Sequence, residues 1–194
     1  MKRGLKILGI CFVLLILLGG SFMLFSPQFG AKPSKEDKLA FSNSENFNGK
    51  VFVNTTDTKM GAELGSIVET LWQYIKGNPN RTPEKGVVNV IPVTTGELEN
   101  PLKQTRLLWF GHSSFLLQTE GKNFLFDPMF SDVPAPHPWL GTKRYSGELP
   151  IQPEELPPLD AVFISHDHYD HLDLDSIKTL ADKTKHFYAP LGVG

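Results

Sequence analysis

Ser165-His166-Asp167-His168-Tyr169-Asp170-His171-Leu172-Asp173 is the stretch on which the fold and chemistry of this chain turn. Three of the six histidines fall within it, and it follows directly on the apolar run Ala161-Val162-Phe163-Ile164. Such a run suits a short buried strand. An irregular loop at a strand's end can turn neighbouring side chains toward one point, which a helix cannot do for residues i and i+2. Neutral imidazoles and carboxylates are ligands for zinc, iron or manganese. Sulfur is absent here, because the lone cysteine, Cys11, lies in a distant apolar run. The cluster reads either as a metal site or as a solvated polar loop, and by itself it does not distinguish one ion from two.

On either side the pattern is that of an α/β layered domain. Residues 107–110, 114–118 and 123–126 read as short strands, with Glu120-Gly121-Lys122 as the hairpin turn between the last two. Asp175 is placed to cap a helix through Ile177, Leu180 and Ala181, and residues 185–189 read as another strand. Residues 130–158 carry prolines at 134, 136, 138, 150, 153, 157 and 158, which predicts a long surface loop with functional potential. The folded domain is expected from Val87 to Gly194. Residues 26–86 read as a linker, with Phe41, Phe47 and Phe52 isolated in its first part. Leu64, Ile67, Val68, Leu71, Trp72 and Ile75 form one apolar stripe, which predicts an amphipathic helix over residues 60–76. Packing against the following domain is the expectation for that stripe. Contact with a membrane surface is the alternative, and the few basic residues on the polar face count against it.

Length and charge narrow the field. The 194 residues correspond to about one domain. With a net charge of −2 and scattered lysines and arginines, no basic run tracks a polyanion, so no nucleic-acid partner is expected. Lys2, Arg3 and Lys6 precede residues 7–25, which hold no charge. As a helix that segment is about 28 Å long, near the roughly 30 Å of a bilayer's hydrocarbon core. Ser26-Pro27-Gln28-Phe29-Gly30-Ala31 offers Gln28 or Phe29 where signal cleavage needs a small residue, so residues 1–25 read as an anchor rather than a cleaved signal. The basic start orients the amino end to the cytoplasm. The expectation is therefore a single-pass membrane protein with an extracytoplasmic domain.

His166-Asp167-His168-Tyr169-Asp170-His171 resembles the H-x-H-x-D-H signature of the metallo-β-lactamase superfamily. The likeness extends to Trp109-Phe110-Gly111-His112-Ser113-Ser114-Phe115-Leu116-Leu117, to Gly121-Lys122-Asn123 and Asp127-Pro128, to Lys143-Arg144-Tyr145, to Glu155-Leu156-Pro157 and to Pro190-Leu191-Gly192-Val193. A weaker likeness lies at Arg81-Thr82-Pro83. In these stretches the chain is similar to the branch of N-acylphosphatidylethanolamine-hydrolysing phospholipase D. The resemblance implies the first half of an αββα sandwich, two divalent metal ions (zinc before iron or manganese), and hydrolysis of a lipid or other phosphodiester. It implies His166 and His168 as ligands of the first ion, and Asp170 and His171 as ligands of the second. Asp170 is thereby also the catalytic candidate. Asp127 is implied as a partner orienting a ligand imidazole, and His112 as a residue holding local structure or lying near substrate. His137 and His186 fall outside the motifs and read as structural or surface residues.

The same resemblance implies a further histidine, a Gly-Asp motif with a bridging aspartate, and a last histidine beyond the residues given. The chain is thus expected to be the amino-terminal portion of a longer hydrolase. A non-catalytic, membrane-anchored remnant that binds metal weakly is the alternative.

Overall fold

The computed structural model describes residues 2–56, 64–77, 80, 82–84, 86–100 and 104–193. Met1–Lys35 and Glu36–Gly194 are separate compact units. The first is dominated by helix α1 (Lys2–Phe25), whose segment Lys6–Phe25 is long and apolar enough to cross a membrane by length and composition. None of that segment is buried. A short 3-10 turn, Pro27–Phe29, follows it.

The second unit is mixed α/β. Its helices are α2 (Lys35–Ser42), α3 (Leu64–Lys76), α4 (Thr95–Glu99) and α5 (Leu174–Leu180). Among the described residues, β1 (Arg106–Gly111), β2 (Ser114–Thr119), β3 (Lys122–Phe126), β4 (Ala161–Phe163) and β5 (Phe187–Tyr188) form one sheet in that order. The first three are an antiparallel meander, and β4 and β5 run parallel to β3. Glu120 (φ 51°) and Gly121 (φ 72°) both adopt left-handed backbone between paired Thr119 and Lys122, so the hairpin turn has two residues and Lys122 opens β3.

The two faces of the sheet differ. Leu116, Leu125 and Val162 are wholly buried, and they pack with Leu180, Leu159, Leu156, Ile151 and Phe130 into one core. On the opposite face, Trp109, Phe115, Phe126, Phe163 and Tyr188 stand in register across all five strands. The last four rings stack with centroids 4.5, 4.9 and 5.1 Å apart and planes within 14° of parallel. This row is only partly covered: Trp109 is 63% and Tyr188 52% exposed.

Several expectations need correction. Asp173, not Asp175, caps α5: its backbone is extended and its side chain accepts the Asp175 N–H. The fifth strand is shortened to two residues. Residues 130–158 form a long irregular loop with one 3-10 turn at Pro153–Glu155, but the loop is not confined to the surface. Phe130, Val133, Ile151 and Leu156 are buried, because an apolar sheet face must be covered even where no helix reaches. Phe41, Phe47 and Phe52 are not isolated; their centroids lie 5.1–5.8 Å apart in one cluster beside α2. Helix α3 begins at Leu64, and Met60, at the expected start, lies outside the described residues, as does Arg81. Its stripe does not pack against the domain: no residue of α3 is buried.

Leu125→Ala should lower the unfolding free energy by about 2–5 kcal/mol. Leu107→Ala, on the opposite face and 59% exposed, should cost less than about 1 kcal/mol. Urea unfolding followed by far-UV circular dichroism measures both, and equal losses would show that the burial of the two faces has been assigned wrongly.

Candidate metal centre

Three chain segments meet at one end of the sheet: the β1–β2 turn, the residues after β3 and the loop after β4. The first is tight. A bulge between Trp109 and Gly111 feeds Gly111 (φ 109°) and His112 (φ 45°) into left-handed backbone. A histidine there is uncommon and costs free energy, so the turn must be held. The Trp109 indole N–H donates to the His112 carbonyl at 2.9 Å and supplies one restraint.

Asp127, after β3, also adopts left-handed backbone (φ 43°). The buried Ser114 hydroxyl donates to its carbonyl and accepts the Met129 N–H at 3.1 Å, fixing the turn. The residue is only 7% exposed, and its carboxylate receives the Ser165 N–H at 2.7 Å and the Ser165 hydroxyl at 2.8 Å. The remaining partner of that carboxylate is His171 Nδ1, 2.8 Å from Oδ2. Burial pushes the Asp127 pKa up, and the hydrogen bonds from His171 and Ser165 more than reverse this, holding the carboxyl below the usual carboxylate range.

With Nδ1 turned to Asp127, His171 presents Nε2 on its other side. Nε2 lies 3.3 Å from His112 Nε2 and 3.9 Å from Asp170 Oδ2. His112 Nε2 is in turn 3.0 Å from the same Asp170 oxygen. These three side chains offer ligand atoms all within 4.8 Å of one another, a donor set of two imidazoles and a carboxylate that suits a divalent transition metal. His166 lies beside them, its ring centroid 3.9 Å from that of His171 and 4.5 Å from that of His168. All four residues of the H-x-H-x-D-H motif are therefore neighbours, but the tightest group takes Asp170 and His171 together with His112.

That grouping was beyond the motif's reach. His112 precedes His171 by 59 positions, and only the bulged register of β1 on β2 carries it there. The serines were passed over as well. Ser113 and Ser165 hydroxyls lie 3.0 and 3.2 Å from His171 Nδ1, and Ser114 stands out in the sequence only as a polar residue before the apolar run Phe115-Leu116-Leu117. His137 stacks on Trp139 in the long loop, and His186 packs near Tyr188; neither joins the cluster.

A cleft of about 780 Å³ opens beside the cluster, with His112 and Asp170 in its lining and Val88, Ile91, Trp109 and Tyr145 among its apolar walls. Arg144 organises its far side. Burial lowers the Arg144 pKa, opposed by Asp132 and Asp173. Its guanidinium donates to the carbonyls of Phe110, Met129 and Ser131 at 3.1–3.3 Å, tying the long loop to β1 and to the segment after β3.

Known proteins share parts of this sequence. Residues 122–194 match the model of the beta-lactamase superfamily domain. Over these residues the chain is similar to that superfamily domain. An uncharacterized protein of Mycobacterium tuberculosis is 35% identical over 157 residues, which are 78% of this chain and 40% of that protein. N-acyl-phosphatidylethanolamine-hydrolyzing phospholipase D 1 of Caenorhabditis elegans is 31% identical over 153 residues, 75% of this chain and 43% of its own length. A UPF0173 metal-dependent hydrolase of Anaeromyxobacter is 36% identical over 70 residues, 36% of this chain and 21% of that protein. The chain thus spans about 40% of the length of the first of these relatives.

Asp127→Asn should weaken metal binding by about 10–100-fold, the usual cost of losing the partner that orients a ligand imidazole. Competition with a chromophoric chelator measures this on the purified chain. Unchanged affinity would show that His171 is not held for a metal through Asp127.

Proposed function

We propose that the protein is a metal-dependent hydrolase acting on a lipid phosphodiester of the N-acylphosphatidylethanolamine kind. The observation that carries this reading is the convergence of His112, Asp170 and His171 beside an apolar cleft. The name of the nematode relative supports the substrate class, and that of the bacterial hydrolase supports the use of a metal. His166 and His168 are assigned to one divalent ion, Asp170 and His171 to a second, with His112 added to the second set. Zinc is the first candidate and iron or manganese the others, because the donors are imidazole and carboxylate without sulfur.

Ions held there would lower the pKa of water and offset the negative charge that develops at the scissile group. The chain's own residues do the rest. Asp127 keeps the Nδ1 proton of His171 directed away from the cluster, leaving Nε2 as a lone-pair donor. Ser165 fills the other acceptor positions of Asp127, so the carboxylate has no competing partner to turn toward. The cleft walls shield the apolar part of a substrate from water and point its polar part toward His112 and Asp170.

The wider organisation belongs to the same proposal. Residues 1–25 anchor the protein as a single-pass membrane protein with the hydrolase domain extracytoplasmic, residues 26–86 link, and residues 87–194 begin the hydrolase domain. The half-covered aromatic row on the sheet suits the second layer of an αββα sandwich.

A second reading is a membrane-anchored protein that binds metal weakly without turnover, which the donor set of His112, Asp170 and His171 also allows. The experiment is hydrolysis of N-acylphosphatidylethanolamine and of an aryl phosphodiester by the chelated and the metal-reloaded protein. His168→Ala should lower metal-dependent kcat/KM by more than roughly 100-fold, beyond the upper end for an outer partner. Metal uptake with no turnover supports the second reading, and turnover that survives chelation sinks both.

A further inference from the structure

Helix α3 carries an uncovered apolar stripe that plays no part in the candidate metal centre. It presents Leu64, Val68, Leu71, Trp72 and Ile75 at 83, 60, 57, 65 and 75% exposure. These residues recur at spacings of three or four and so occupy one side of the helix. Isolated helices shorter than about 12–15 residues are marginal in water, so a 13-residue helix with an uncovered stripe requires an apolar surface to lie on. Three features select the bilayer as that surface. The same chain carries a membrane-length helix that ends at Phe25, so α3 is tethered near any membrane that helix enters. The stripe includes Trp72, whose amphipathic ring favours the boundary between headgroups and acyl chains. A second copy is a poor partner: 13 residues give a stripe about 20 Å long, far too little for the roughly 1,200 Å² at the low end of stable protein interfaces.

We propose that α3 lies in the plane of the membrane interface with its Leu-Val-Trp-Ile stripe among the acyl chains. Its opposite side carries Ser66, Glu69, Thr70, Gln73 and Lys76, whose charges cancel. Insertion is therefore driven by apolar area and not by attraction to anionic lipid, in the manner of helices that sense lipid packing.

The test uses the full chain reconstituted into phosphatidylcholine vesicles, with Trp109 and Trp139 changed to Phe so that Trp72 is the one indole left. Trp72 emission should shift to shorter wavelength and be quenched by lipids brominated on the acyl chain. The same quenching is expected when a third of the lipid is phosphatidylserine and when salt is raised. Leu71→Glu should abolish the quenching while the protein stays in the membrane fraction through its first helix. Quenching of Trp72 by aqueous iodide instead would overturn the proposal. Shielding from both quenchers would show that protein covers the stripe, and dependence on anionic lipid would overturn the apolar basis; either result equally rejects it.

Discussion

A buried carboxylate must find donors for both oxygens, and Asp127, a residue only 7% exposed, finds them on the loop after β4. The Ser165 N–H and hydroxyl and His171 Nδ1 all lie 2.7–2.8 Å from it. Its own N–H donates to the Phe163 carbonyl at 2.9 Å, so the pairing of β3 with β4 continues into the site. An unpaired buried charge costs several kcal/mol, roughly 3–5 when one partner is removed. That cost forbids the loop from drifting, and the imidazoles keep their positions because Asp127 cannot be left alone.

The strain beside it follows from the same need. His112 and Asp127 both adopt left-handed backbone, at a cost of about 1–3 kcal/mol each. Each is held from a strand: Trp109 donates to the His112 carbonyl, and Ser114 to the Asp127 carbonyl. Ser114 is 1% exposed and its hydroxyl is used both as donor and as acceptor. The turns are thus tied into the part of the molecule least able to move. Replacing Ser114 with Ala would leave the Met129 N–H unpaired and release the turn that aims Asp127.

The legible parts of the chain were those written in contiguous residues. Strands β1 to β4 show their apolar patterning directly, and the metal loop is a local motif on a buried strand. The parts that were hidden depend on register and on long-range burial. His112 joins the cluster only because a bulge turns it across the β1–β2 end. The Phe41, Phe47 and Phe52 rings are separated by polar residues in the sequence and meet only when the chain after α2 doubles back, with Phe47 bridged to Phe52. The cap of α5 was misplaced by two residues because Asp173 and Asp175 are equally good caps by type. Asp173 also accepts the Ser131 N–H at 2.9 Å, a long-range bond that decides between them. For α3, periodicity identifies the apolar side but not what covers it.

Charge pairing separates the site from the rest of the domain. Lysines answer three aspartates elsewhere: Lys143 pairs with Asp132, Lys185 with Asp160, and Lys178 with Asp175. Asp127 and Asp170 are paired only with imidazoles among the described residues. A lysine is a fixed cation of strong hydration, and its ammonium would occupy the place of any incoming ion. An imidazole can be neutral near physiological pH and then offers a lone pair instead of a positive charge. A loop whose carboxylate faces histidines therefore keeps negative charge and donor atoms available together. A surface loop built for solubility alone has no reason to exclude lysine from that position, so the choice of partner is itself an argument for a cation between Asp170, His171 and His112.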